Sequence, residues 1–292
     1  MLMQDFAASL SFKALPEDVL KVLRRSLLDS IGVAAIGSQT DMARIGTKTA
    51  RTMFGATSAS AARCLFDGQL ASLAGAAMAG AMTIDSIDAH DGTSPCKGHA
   101  GSAIFPALLA LADERSMTGQ DFATYLALAY EICYRAGLTQ HDTCADYHTS
   151  GAWTAVGVAA MTARVIGCNP MQIREAAGIG EYHGPRSQMM RCIDHPTMVR
   201  DGVGWGAPAG VMAGFLALNG FTGAPALTCE GPHWQELGET WKLVTDTHYK
   251  PYPCCHWAHP SIDAAADLMA EHSITHQQIS SVEIKTFHNA TR

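Results

Sequence analysis

The sequence predicts an all-α fold, a multi-helix main domain followed by the start of an α+β unit at the C-terminus. Three observations carry this. Apolar residues recur at helical spacing in one segment after another. The chain is 48% hydrophobic but only 7% aromatic. Ala, Gly and Met fill the difference, which suits closely packed helices, because small residues let helix axes approach and Met fills irregular gaps. Only the final stretch, SSVEIKTFHNATR, alternates like a strand.

Pro16-Glu17-Asp18 marks the first helix start, since Pro is tolerated in the first turn and acids favour the dipole there. Val19, Leu20, Val22, Leu23, Leu27, Leu28 and Ile31 then keep helical spacing, and Gly32 and Gly37 loosen and end the helix. Further helices run through LASLAGAAMAGAMTI, AIFPALLALADE, DFATYLALAYEICYRAG, TAVGVAAMTARVIG, PMQIREAAGIG, APAGVMAGFLALNG and HPSIDAAADLMAEH. Each carries apolar residues on nearly all faces, which predicts burial on several sides. A lone terminal strand does not fold by itself. It either pairs elsewhere or opens a second unit, which divides the chain into a main domain, 1–275, and the beginning of a lid, 276–292.

The net charge of -7, with no basic run, argues against nucleic acid and anionic membrane as partners. An anionic substrate then needs local cations, and thirteen His make such a pocket plausible. The nine cysteines are scattered and odd in number, and no signal peptide is evident, so reduced thiols in a cytoplasmic compartment are expected. No apolar run reaches the roughly 18 residues that span a bilayer.

Four clusters offer chemistry. The first runs from Asp85 to His99 and holds Asp88, His90, Asp91, Thr93 and Lys97. On a helical turn Asp88 and Asp91 would share a face, and like charges that close raise one pKa into the range of a proton carrier. The plain alternative is a solvated acidic loop capping helices. The second is Tyr147-His148-Thr149-Ser150-Gly151 ahead of a buried helix. Ser150 or Thr149 can cap that helix, an anion can sit on its N-terminus, and His148 can act as acid, base or anion donor; an ordinary capping loop reads equally well.

The third cluster is Arg200-Asp201-Gly202-Val203-Gly204-Trp205-Gly206. Its Gly-x-Gly-x-Gly is not a nucleotide motif, because no strand precedes it and no βαβ unit surrounds it. Arg200 can clamp a carboxylate bidentately or pair with Asp201. The fourth is Lys250-Pro251-Tyr252-Pro253-Cys254-Cys255-His256-Trp257-Ala258-His259. Its spacing fits neither a zinc nor an iron–sulfur site, so Lys250 is the better functional candidate.

These clusters, in this order, resemble the MmgE/PrpD family, which includes 2-methylcitrate dehydratase and cis-aconitate decarboxylase. The matching stretches are Asp88-Ala89-His90-Asp91-Gly92 with His99, His148-Thr149-Ser150-Gly151, Arg200 through Gly220-Phe221-Thr222-Gly223, Lys250-Pro251-Tyr252-Pro253 with His259-Pro260, and the early LLDSIGVAAIGS. The resemblance implies an all-α main domain with a smaller α+β lid, usually as a homodimer. It also implies lyase chemistry on small di- or tricarboxylates without metal or organic cofactor. Carried over, Asp88, Asp91, His99, His148 and Lys250 would line the active site; these five are expected to be catalytic, and Arg200, Thr93, Ser150 and His256 to bind substrate. His148 and Lys250 would carry protons, while the two Asp residues orient the imidazoles.

Three departures stand out. His90 occupies a position where many members have a second acid, and Arg200 stands where a Lys is expected. The chain also stops as the lid begins. Dehydration, decarboxylation and epimerisation share the first proton step, so an epimerase or isomerase of an amino- or imino-dicarboxylate is the enzymatic alternative. An inactive carboxylate-binding or dimerisation fragment is the non-enzymatic one.

Overall fold

The structure is a computed structural model that describes residues 1–291. Its helices are α1 (Met3–Ser9), α2 (Glu17–Gly37), α3 (Asp41–Met53), α4 (Leu73–Asp85), α5 (Gly101–Glu114) and α6 (Gly119–Thr143) in the first half. The second half adds α7 (Gly151–Val165), α8 (Pro170–His183), α9 (Met189–Asp194), α10 (Val203–Leu218), α11 (Lys242–Asp246) and α12 (His259–Glu271). Among the described residues, strands are confined to two antiparallel pairs of two residues each. Ala62–Arg63 (β1) pairs with Leu70–Ala71 (β2), and Gly92–Thr93 (β3) pairs with Thr247–His248 (β4).

Helix starts follow side-chain capping, which satisfies amide groups that the first turn leaves without partners. Thr40 caps α3 and Ser72 caps α4 through the amides of Ala43 and Gly75. Thr118 with Asp121 and Asn169 with Gln172 form reciprocal capping boxes on α6 and α8.

Helices α4, α5, α7 and α10 are buried over nearly their whole surface, as their apolar composition predicts. Helix α7 packs against α6, α8 and α10. Close approach explains the glycines: a Cβ on Gly210 of α10 would lie 2.6 Å from the Val158 Cβ of α7. The expectation of many-sided burial fails elsewhere. Helix α2 leaves Leu28, Ile31 and Ile36 exposed, and α12 buries only His259. Among the described residues nothing covers their outer faces.

The C-terminal alternation does not produce a strand. Residues 279–287 form no ladder, and short 3-10 turns stand at His276–Gln278 and His288–Thr291. A strand needs an edge to pair with, and among the described residues both strand pairs lie elsewhere. No helix among them is long and apolar enough to cross a membrane.

One buried ion pair fastens the segment that leads to Lys250. Arg135 and Glu131 on α6 are 1% and 0% exposed and bond at 2.7 Å. Arg135 also donates to the carbonyls of His233 and Thr240, and Glu131 accepts from the amides of Lys242 and Leu243. Residues 233–243 are thereby held on α6, and β4 emerges beside β3.

Candidate active site

Helix α4 ends at Asp85, and the loop beyond it carries the first cluster. Asp88 sits in the left-handed region, with φ of +50°. The chain therefore leaves the helical path, and Asp88 and Asp91 do not share a face as the spacing predicts. Asp88 lines a cleft, while Asp91 turns inward and is fully buried.

Asp91 organises the loop. Its carboxylate accepts from the Gly101 amide at 3.1 Å, at the start of α5, and from the Tyr130 hydroxyl at 2.7 Å. Its amide donates to Asp29 at 2.9 Å. Its carbonyl lies 2.7 Å from Nδ1 of His99. A carbonyl only accepts, so Nδ1 carries the proton and Nε2 of a neutral His99 is left as the acceptor. Burial pushes the Asp91 carboxyl up; burial and the nearby Asp91 charge push Asp29 to about 7.

The second wall comes from the starts of α7 and α10. Ser150 does not cap α7 with its side chain. Its hydroxyl instead accepts from the His99 amide at 3.0 Å and reaches Asp201 at 3.5 Å. Asp201 is buried and lies 3.8 Å from Nε2 of His99. It faces inward, so the surface Arg200–Asp201 pair open at the sequence level does not form. Arg200 stands exposed on the cleft wall and makes no ion pair among the described residues. Gly202, at φ of +72°, makes the turn into α10, and its carbonyl would lie 2.2 Å from a Cβ on Gly151. A Cβ on Gly206 of α10 would likewise lie 2.5 Å from the Gly151 carbonyl, so these helix ends meet through glycines.

The third wall follows β4. Lys250 has a buried side chain, and its ammonium donates to the Asp88 carbonyl at 2.9 Å and to the Asp88 carboxylate. His248 stacks on His256 at 4.5 Å, and His256 meets His259 edge-on at 4.9 Å. Burial, with the neighbouring imidazoles adding to it, lowers His248 to about 4 and depresses His256. The His248 ring is therefore neutral near pH 7.

The walls enclose a cleft of about 1200 Å³. Of the residues singled out in the sequence, Asp88, Thr93, His99, Arg200 and His256 line it. Lys250 reaches it through Asp88, and Asp91 and Ser150 support His99 from behind. His148 does not line it: its backbone pairs with Gln188, its Nδ1 is buried without a partner, and burial lowers its pKa. His90, Asp85, Asp201 and His248 are additions. Asp85 and His90 belonged to the first cluster without an assigned role, Asp201 appeared only as a partner for Arg200, and nothing in spacing pointed to His248. Asp88, His90, His99 and Asp201 each place a potential ligand atom within 4.8 Å of the others. The Cys254–His259 stretch forms no such group among the described residues, and all nine cysteines are free thiols.

The family model of the MmgE/PrpD N-terminal domain matches residues 2–234. That span includes the loop of Asp88 and His99, the start of α7, and Arg200; Lys250 and His256 lie beyond it. No curated protein matches the chain.

Proposed function

The chain belongs to the MmgE/PrpD family, and from that premise we propose that it is a lyase acting on a small di- or tricarboxylate by proton transfer next to a carboxylate. The observation that carries the reading is the convergence on one cleft of Arg200, the Lys250–Asp88 pair and imidazoles, beside the N-termini of α5, α7 and α10. Helix N-termini and a guanidinium both favour carboxylates.

Arg200 takes one substrate carboxylate as a bidentate pair, since its guanidinium makes no ion pair among the described residues. Lys250 faces the negative charge that develops when a proton leaves the adjacent carbon. His256 is the imidazole free to take that proton: it lines the cleft, and desolvation with the neighbouring His259 lowers its pKa from the usual imidazole value. His99 is less free, with Nδ1 held on Asp91 and Nε2 turned towards Asp201. His148, expected from the sequence to carry a proton, does not line the cleft.

The epimerase alternative draws on one specific feature. Asp88 and Asp201 put carboxylates on the same cleft, where an amino or imino group of a substrate would find a partner.

The test is deuterium exchange by NMR with a panel of citrate-like and aspartate-like acids. Exchange at the carbon next to a carboxylate, with loss of water or CO₂, supports the lyase; an inverted centre without mass change selects the epimerase. His256→Gln should slow exchange roughly 10²–10⁴-fold, as loss of a general base does. Full activity in that variant would remove His256 from the role, and full activity in His148→Ala would retire the expectation for His148.

A further inference from the structure

A base on an exposed turn needs something to aim it. His256 opens the three-residue 3-10 turn His256–Ala258, and its side chain is exposed. Among the described residues no hydrogen bond fixes its ring. Two other imidazoles touch it instead. His248 stacks on it at 4.5 Å, with the planes 25° apart, and His259 meets it edge-on at 4.9 Å. His259 is itself fastened. It is 4% exposed, packs edge-on against Tyr252 at 5.2 Å, and its Nε2 lies 3.2 Å from the Cys254 carbonyl.

His248 is placed from the other side of the cleft. It pairs across β3 and β4 with Gly92, in the loop between Asp88 and His99. A Cβ on Gly92 would lie 2.7 Å from Nε2 of His248 and 3.1 Å from its Cε1. The imidazole therefore lies over the bare backbone of its cross-strand partner, in space that a side chain on that partner would fill. Gly92 does not adopt a positive φ. Its lack of a side chain serves this close approach and not a turn, as glycine within a strand often does.

The contacts form a chain from the packed wall to the exposed one. The loop of Asp88 and His99 seats Gly92, Gly92 seats the His248 ring, and that ring supports His256. Burial and the neighbouring His256, His99, Lys250 and His259 hold His248 to about 4. The support is therefore uncharged near pH 7 and sets no cation against an imidazole that must accept a proton.

We propose that His248 is a positioning residue for the proton transfer: seated on Gly92, its ring aims His256 into the cleft. The inference rests on the lyase reading with His256 as base, and it names what orients that base. Orientation matters because the proton moves only along a short, aligned path, and a misplacement of about 1 Å can cost about 10²-fold in rate.

The test uses the whole chain and an acid that exchanges deuterium, with kcat and KM read separately. His248→Ala should lower kcat by about 10–100-fold and leave KM within about twofold, since the support touches the base and not the bound carboxylates. His248→Phe keeps a flat ring without its nitrogens and should restore most of that loss. Gly92→Ala leaves every titratable group in place and only displaces the His248 ring. It should reproduce the loss, and the double variant with His248→Ala should lose no more than either change alone. Gly92→Ala also carries the test if His248→Ala fails to fold, as judged by circular dichroism.

A second readout needs no turnover. Stacking moves the Hε1 proton of His256 upfield, and that resonance is identified by its absence in His256→Gln. The upfield shift should be lost in His248→Ala and in Gly92→Ala and kept in His248→Phe. Full kcat in His248→Ala, no recovery in His248→Phe, or additive losses in the double variant overturns the inference. Should no acid exchange, the lyase reading falls. The seating of His256 on His248 then stands if the resonance moves as expected, and falls with the reading if it stays in place.

Discussion

The core helices and the C-terminal stretch meet the cleft on opposite terms. Helices α4, α5, α7 and α10 are enclosed on nearly every side, and the loops at their ends carry Asp88, His99 and Asp201. Residues 250–291 contribute Lys250 and His256, yet most of their side chains are exposed, including Leu268, Val282, Ile284 and Phe287. One wall is therefore positioned by packing, and the other by a few polar anchors. Substitutions in the first should be felt as global stability, and those far out on the second should not.

The anchor between the two regions should show the largest effect. Arg135→Met removes one partner of a fully buried ion pair, leaving Glu131 uncompensated and freeing the carbonyls of His233 and Thr240. Breaking such a pair costs about 3–5 kcal/mol, to be read by urea unfolding. A loss under about 1 kcal/mol would show that residues 233–243 are held by something other than α6. Next comes Gly151→Val, whose Cβ would strike the Gly202 carbonyl at 2.2 Å. Overpacking of this kind costs about 1–3 kcal/mol. Because the contact is backbone against backbone, it should also move Asp201 and lower activity beyond the stability loss. Unchanged activity in a destabilised variant would separate the packed wall from the cleft.

A smaller effect lies beneath the packed wall and depends on pH. Asp29 has a pKa of about 7 in the folded chain, raised by burial and by Asp91, against about 3.9 when unfolded. Between these values the native state holds the extra proton, so this group's contribution to stability falls as pH rises from about 4 to about 7. Asp29→Asn keeps an oxygen for the Asp91 amide and removes the titration. It should melt higher than the parent at pH 8, by about 1–2 kcal/mol once solvent screening is allowed for, and equally at pH 4. Parallel melting curves across that range would break the assignment.

The same contrast explains what could be read from the residues. The eight helices placed by apolar spacing all exist, from α2 to α12, because burial on a face leaves a periodic trace. Helix α3 escaped because it is mostly polar and short of apolar residues, and the two-residue strands because they are too brief to alternate. In the site, Asp88, His99 and Lys250 were legible as a family pattern. The burial of Asp201 and His90 was not, since no local pattern encodes it. The Asp88–Asp91 pairing failed for a related reason: one positive φ at Asp88 sends the two carboxylates to opposite sides of the loop.

The smallest expected effect probes the exposed wall itself. Leu268 on α12 is 54% exposed, with no element against its outer face among the described residues. Leu268→Ala should therefore change stability by less than about 0.5 kcal/mol, the usual range for a surface position. Alanine is also the better helix former, so the sign can fall either way. A cost near 2 kcal/mol or more would mean that Leu268 is covered in solution. A concentration dependence of that cost would identify the cover as a second chain, since mass action couples assembly to apparent stability. A cost independent of concentration would place the cover within the chain, with α12 turned to bury its apolar residues. Either result would give the second wall a packed support of its own and would make His256 as firmly placed as Asp201.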